Sequence, residues 1–269
     1  SAEVLDLSGY SVQLAVDTNI REAVAAALEE SGGAYGYRRL LSEVNDIPGF
    51  DAGEWIVSKS MGERGPVVCA PRRKHGFESY AGEVSEAPEN TCPDERDRHR
   101  FAADKPNGLW VTDIAEFRIP AGKCHLSPVI DCFDGMSIGS SIGTPERVLA
   151  NPSFLRVCAQ LGDGKRPRVH SGRGGHYRWP GLIVHLRRAR PRALDVEKGV
   201  LIRQFKGGEG VLRQAEGGVL LRKGLGDASV GEFVEMLDAY LVWYRDKRRK
   251  SDLGHMSPMQ YRRSLGLVA

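Results

Sequence analysis

Apolar residues recur with helical spacing towards both ends of the chain. Near the N-terminus they form a stripe within residues 20–31, and this stripe is followed by Gly32-Gly33, a common helix stop. A second short helix is predicted over 37–44, and a long helix over 230–250. The N-terminal stripe comprises Ile20, Val24, Ala27 and Leu28, and the C-terminal one Phe233, Leu237, Tyr240, Leu241 and Tyr244.

The middle of the chain has the pattern of β-strands. Residues 109–117 and 124–133 are two β-rich runs separated by a turn of hairpin length at 119–122, and 137–143 can add a third strand. A helix over 145–161 and another strand over 166–171 are predicted to follow. A hairpin meander followed by a helix and a further strand predicts an α/β fold with a mixed sheet.

The residues between the N-terminal helices and the strands lack a sustained period and are rich in glycine, proline and charge. We therefore predict three regions: a helical module at 1–46, a linker at 47–104 and a core at 105–269. On its pattern alone, the helical module fits either a DNA-binding helix-turn-helix or a simple helical hairpin.

Composition narrows the classes of protein. The 269 residues carry a formal net charge of +3, contain no apolar run of membrane-spanning length and show no signal-peptide pattern, so we expect a cytoplasmic protein without a membrane partner. Five widely spaced cysteines without a C-x-x-C pair argue against a disulfide framework and a zinc site. Between Lys165 and Lys206, twelve Lys/Arg face two acids, which indicates either a polyanion partner or a solvated surface.

Three acidic residues of the strand region are candidates for chemistry. Asp113 lies inside the first apolar run, where a carboxylate is costly to bury unless it is paired or holds a cation. The alternative is an Asp that faces solvent on an edge strand. Asp131 and Asp134 have the same two interpretations, and Asp134-Gly135 is also typical of a turn.

Four segments carry a resemblance to a known family. They are "SGGAYGYRRLLSEV" (31–44), "KPNGLWVTDIAEFRIPAGKCHLSPVIDCFDGMSIGSSIGT" (105–144), "RPRVHSGRGGHYRWPG" (166–181) and "LDAYLVWYRDKRRKSDLGHMSPMQYRRSLGL" (237–267). The last three, in this order, resemble the catalytic subunit of bacterial insertion-sequence transposases with a retroviral-integrase-like core. The first is similar to the helical DNA-binding module that precedes this core.

The resemblance implies a ribonuclease-H-like mixed sheet flanked by helices, with a D-D-E triad of carboxylates that binds two Mg²⁺ ions for DNA cleavage and strand transfer. Asp113 in "VTDI" matches the first acid. The second acid belongs to an "H-S-D-R-G" motif, and this chain has Gly172 at that position, which offers no side-chain ligand. Glu209 is the nearest carboxylate to the third position, but the family's continuation "FFGRLK" is missing.

The genetic code suggests a reason for the missing helix. When codons for residues 211–226 are read one nucleotide forward, they permit "FFGRLKEEFFYGKDW", which matches the family's helix. We therefore hypothesise that residues 184–229 are translated out of frame. The absence of one acid and the altered surroundings of another predict a catalytically impaired chain, with a chain that does not fold fully as a further possibility.

The resemblance also implies partners. Double-stranded DNA, both as element ends and as target, is the expected substrate, together with self-association and a separate helix-turn-helix partner protein. The alternative function is a non-enzymatic DNA-binding remnant of a transposase, and in both cases we expect the protein to be cytoplasmic and associated with the nucleoid. The candidate DNA contacts are Arg38, Arg39, Arg168, Arg173, Arg178, Lys247 and Arg248.

Overall fold

The computed structural model describes residues 7–63, 102–144, 152–161, 167–171, 194–195 and 228–267, except for the side chains of 7–16, 171 and 194–195. The chain divides into a helical unit, to which residues 7–63 and Arg249–His255 belong, and a core unit that holds the sheet. Within the described ranges, no helix has both the length and the apolar character needed to cross a bilayer.

The described part of the helical unit contains three α-helices: α1 (Leu7–Glu30), α2 (Tyr37–Asn45) and α3 (Glu54–Glu63). The predicted stripe of α1 is buried at all four positions, which confirms the helical interpretation. Gly32 and Gly33 end α1 with positive φ angles of 58° and 75°, a conformation that glycine adopts without strain. Leu40 and Val44 of α2 are fully buried.

Helix α3 lies within the range 47–104 that the sequence pattern predicted to be a linker, so the structure differs from this prediction over residues 54–63. Only Ile56, Val57 and Ser60 of α3 are buried, whereas Trp55 remains 69% exposed. Because few residues of α3 are both apolar and buried, its sequence shows only a weak helical period. The packing of α3 against α1 and α2, rather than its own composition, stabilises it.

In the described part of the core unit, six strands form a mixed sheet. Its strands are β1 (Leu109–Thr112), β2 (Ala115–Ile119), β3 (Gly122–Asp131), β4 (Met136–Gly143), β5 (Arg168–Ser171) and β6 (Leu194–Asp195). The long strand β3 pairs antiparallel with β2 along its first half, with β1 along its second half, and with β4 on its other side. Strand β5 lies parallel to β1, and β6 lies parallel to β5. The predicted α/β fold with a mixed sheet is confirmed.

Helices cover both faces of this sheet. On one face, α5 (Val230–Asp246) buries its predicted apolar stripe against β1, β2 and β3, and Phe233 packs against Phe117 at 5.5 Å between ring centroids. On the other face, α4 (Pro152–Ala159) packs Phe154 edge-on against Trp110 at 6.1 Å. A Ser229–Glu232 capping box starts α5. A short helix, α6 (Pro258–Ser264), lies near the C-terminus.

Candidate active site

Asp113 lies at an interruption between two strands. It follows β1 directly, is half-buried, and accepts a hydrogen bond from the backbone N–H of Ile114 through Oδ1 at 2.9 Å. Pairing with β3 stops at Thr112 opposite Val129 and resumes at Ala115 opposite Leu126. Continuing the first register would bring Asp113 opposite Pro128, which has no N–H to donate to the ladder.

Strand β5 runs beside β1 in parallel, and their register ends with Thr112 opposite Ser171. The carboxyl ends of the two strands therefore meet at one edge of the sheet. Asp113 is the next residue after β1, and in the sequence Gly172 is the next residue after β5. Gly172 itself lies outside the described residues. The register nevertheless pairs the two strands that precede the first and second acid positions of the predicted triad.

The described residues do not fit a two-metal site. Over these ranges, no group of three or more His, Cys, Asp or Glu side chains is placed to hold a metal ion. Glu209, the predicted third acid, lies outside the described residues, as does the segment 184–229 apart from β6 and residues 228–229. Gly172 offers no side-chain oxygen, and Mg²⁺ needs several hard oxygen ligands. Of the three predicted acid positions, Asp113 is the one that the described residues place at this edge with a carboxylate.

Asp131 and Asp134, for which the sequence allowed more than one interpretation, have a structural role. Arg262 of α6 donates to Asp131 Oδ2 at 2.7 Å and to Asp134 Oδ2 at 2.6 Å, and all three residues are buried. Asp131 also accepts from the backbone N–H groups of Asn107 at 2.9 Å and Phe133 at 3.1 Å. Burial raises the pKa of Asp131, and these hydrogen bonds and Arg262 oppose that shift. The two carboxylates thus attach α6 to the sheet.

The residues that are predicted to contact DNA differ in their solvent exposure. Arg38 on α2, Arg168 on β5 and Lys247 after α5 are exposed, and Arg39 is half-buried. Arg38 contacts the ring and the hydroxyl of Tyr37. Arg173 and Arg178 lie outside the described residues. These exposed residues stay candidates for phosphate contacts.

Arg248 corrects the prediction that the whole basic run 245–250 is a surface feature. Its side chain is only 4% exposed, and its guanidinium lies over the ring of Tyr244 at 4.9 Å. Helix α5 ends at Asp246 rather than at residue 250, so residues 247–250 do not continue the exposed face of the helix. A buried guanidinium stacked on an aromatic ring is not presented to a phosphate.

Arg249 is also buried, and it holds the segment Arg249–His255 within the helical unit. Its guanidinium contacts Glu43, donates to Asp46 Oδ2 at 2.6 Å and to Ser42 Oγ at 3.1 Å, and its backbone N–H donates to Tyr35 Oη at 2.8 Å. No local sequence pattern indicates this role, because Arg249 lies 206 residues from Glu43 in the chain.

The charge of the helical unit does not favour broad contact with phosphates. The described residues of this unit, 7–63 and Arg249–His255, contain six Lys/Arg and ten Asp/Glu, a formal net charge of −4, so the remainder of the chain carries +7 and the whole chain +3. DNA-binding domains usually have a basic surface. Arg38 and Arg39 are therefore local cations on an acidic unit.

Comparison with known proteins agrees with the motifs. The chain is 34% identical over 253 residues to the probable transposase for insertion sequence element IS1353 of Shigella flexneri, covering 94% of this chain and 48% of that protein. It is 30% identical over 161 residues to the putative transposase InsK for insertion sequence element IS150 of Escherichia coli, covering 60% of this chain and 54% of that protein. No protein-family model matches the chain.

Among solved structures, the magnesium complex of the HTLV-2 integrase catalytic core domain matches with a TM-score of 0.40 and 13% sequence identity. The match covers 58% of this chain and 96% of that one. The sequence similarities confirm that the chain is related to the bacterial insertion-sequence transposases, the family that its motifs resemble. The chain spans about half the length of these two curated relatives.

Proposed function

We propose that this chain functions in DNA transposition as a catalytically impaired transposase. The observation that carries the proposal is the pairing of β1 with β5 in a register that ends at Thr112 and Ser171, directly before Asp113 and Gly172 in the sequence. One acid of the expected triad is thus present at the edge of the sheet. The sequence has a glycine at the matching position of the neighbouring strand.

Double-stranded DNA is the proposed substrate, since the relatives are transposases and the chain after residue 63 carries the excess of positive charge. Self-association and a separate helix-turn-helix partner protein are further parts of this proposal, as is the association of the protein with the bacterial nucleoid. Mg²⁺ would be the cofactor of an intact triad.

The impairment is tested by restoring the missing acid. Gly172→Asp alone should not give Mg²⁺-dependent strand joining on a labelled duplex, because the Glu-bearing helix expected after residue 205 would still be absent from the sequence. Measurable joining by this single variant would refute the proposed impairment. The nucleotide sequence across residues 180–232 provides an independent test: if its shifted frame does not spell the family's helix, the frameshift hypothesis is wrong.

The second candidate function is a non-enzymatic DNA-binding remnant, which the absence of a side-chain ligand at Gly172 favours. A mobility shift on duplex DNA, run beside a Mg²⁺-dependent plasmid-nicking assay, separates the two candidates. Residual nicking that is lost in Asp113→Asn, but retained in Asp104→Asn, supports the impaired transposase. Asp104 is an exposed acid that precedes β1 and provides the matched control. Binding without any nicking supports the remnant.

A further inference from the structure

The β2–β3 hairpin carries a compact group of charged side chains on one face. Glu116 Oε1 accepts from Arg118 Nε at 2.8 Å, and Glu116 Oε2 accepts from Lys123 Nζ at 3.2 Å. His125 Nε2 lies 3.4 Å from the same Oε2. One carboxylate thus lies among two cations and an imidazole. We call Glu116, Arg118, Lys123 and His125 the hairpin cluster.

The hairpin cluster contains one positive charge that its carboxylate does not compensate. Arg118 and Lys123 are direct cross-strand partners, an arrangement in which like charges destabilise a sheet. Glu116 compensates one of the two cations and leaves the other in excess. Both side chains are well exposed, at 78% for Arg118 and 55% for Lys123. Two adjacent, exposed cations that repel each other are typical of a surface that binds an anion.

The opposite face of the hairpin holds the cluster in place. Strand β2 alternates buried and exposed residues along its whole length, and Phe117, between Glu116 and Arg118, packs against Phe233 of α5. Cys124, between Lys123 and His125, is fully buried. The backbone under the cluster is therefore anchored by core packing, which is the support that a binding surface needs.

The cluster also lies close to Asp113 along the chain. Glu116 and Arg118 are three and five residues beyond Asp113, which corresponds to about 10 and 17 Å at roughly 3.3 Å per residue of extended strand. Each strand of a DNA duplex carries one phosphate per about 3.4 Å of helix axis. A backbone that passes Asp113 would thus reach the hairpin within a few phosphates.

We propose that Arg118 and Lys123 contact phosphates of a DNA backbone next to the Asp113 edge, and that Glu116 positions both side chains. This inference rests on the proposed action on DNA. Hydrogen bonding to Arg118 holds the pKa of Glu116 below its ordinary value, so this residue remains a carboxylate that orients its partners and also repels phosphate. Removal of that negative charge therefore strengthens DNA binding.

Fluorescence anisotropy of a labelled 30-base-pair duplex, titrated with the full chain over a series of KCl concentrations, tests this inference. The double variant Arg118→Ala/Lys123→Ala should reduce the slope of log K against log [KCl] by about 1.8, because each phosphate contact contributes roughly 0.9. Lys105→Ala/Arg156→Ala removes two exposed charges outside the hairpin and should retain the wild-type slope. Glu116→Gln should bind more tightly than wild type.

Each outcome has a distinct meaning. A wild-type slope in the hairpin double variant, or an equal loss in the control double variant, would overturn the hairpin assignment while leaving DNA binding intact. No binding by the wild-type chain would overturn the proposed function and the hairpin assignment together. Weaker binding by Glu116→Gln would overturn the expected net repulsion between Glu116 and phosphate, since its positioning of Arg118 and Lys123 would then outweigh that repulsion. Circular dichroism melts that match wild type should accompany each variant, since the mutated side chains are exposed.

Discussion

The ion pairs between Arg262 and two carboxylates provide a sharp test of what attaches α6 to the sheet. In Arg262→Met the aliphatic volume is largely kept, but Asp131 and Asp134 lose the cation that lies 2.7 and 2.6 Å away. Asp131 keeps the hydrogen bonds from the backbone N–H groups of Asn107 and Phe133, and Asp134 keeps one from the backbone N–H of Met136 at 2.9 Å. Both carboxylate side chains are 0% exposed.

Removal of one partner from a buried ion pair costs about 3–5 kcal/mol, because the remaining charge is left without compensation. We expect a loss in this range at pH 7.5. Burial already raises the pKa of Asp131, and loss of Arg262 should raise it further. The folded variant would then hold a proton that the unfolded chain has released, so its stability falls as pH rises above the ordinary Asp value of about 3.9. Its deficit relative to wild type should accordingly be smaller at pH 4.5 than at pH 7.5.

Urea unfolding followed by tryptophan fluorescence at the two pH values measures both effects. Arg263→Met is the matched control, since Arg263 is the next residue of α6 and is exposed; we expect a change within about 0.5 kcal/mol. The reasoning is refuted if Arg262→Met is as stable as the control. An equal deficit at both pH values would refute the assignment of the pH effect to the buried carboxylates.

Three further predictions concern packing, thiol reactivity and the helical unit. Gly139→Ala should destabilise the core by about 1–3 kcal/mol, because its Cβ would lie 2.5 Å from Val157 Cγ2; urea melts should show partial recovery in Gly139→Ala/Val157→Ala. Burial raises the pKa of the Cys158 thiol to about 11, so site-resolved alkylation at pH 8 should be slow until urea is added; rapid labelling of the folded chain would contradict this. Arg249→Met should accelerate hydrogen exchange of the α2 amides, whereas Lys247→Met should not.

Local patterns predicted much of the fold because burial repeats with the period of each element. In β2 the residues alternate between buried and exposed, and the four-residue stripe of α1 is buried as expected. Tyr240 and Tyr244 of the predicted C-terminal stripe are buried as expected. The three described cysteines, Cys124, Cys132 and Cys158, are buried and free.

Other features depend on partners that are distant in sequence. Asp131 could not be distinguished from a metal ligand by its local sequence, since the cation that compensates it lies 131 residues away. The run 245–250 looked uniformly basic, yet Arg248 and Arg249 are buried while Lys247 is exposed. No local period encodes where a helix ends and the chain turns inward. At the candidate site, Asp113 was predicted from the sequence. That it lies at an interruption opposite Pro128 could be recognised only from the strand register.

The helical unit is discontinuous in sequence, and this has a consequence for synthesis of the protein. Arg249, which contacts Glu43 and Asp46, is translated 206 residues after Glu43. Domains that are continuous in sequence can complete their folding while the rest of the chain is still being made. Here the helices α1–α3 have to wait for this distant segment before the helical unit can form its own buried ion pairs.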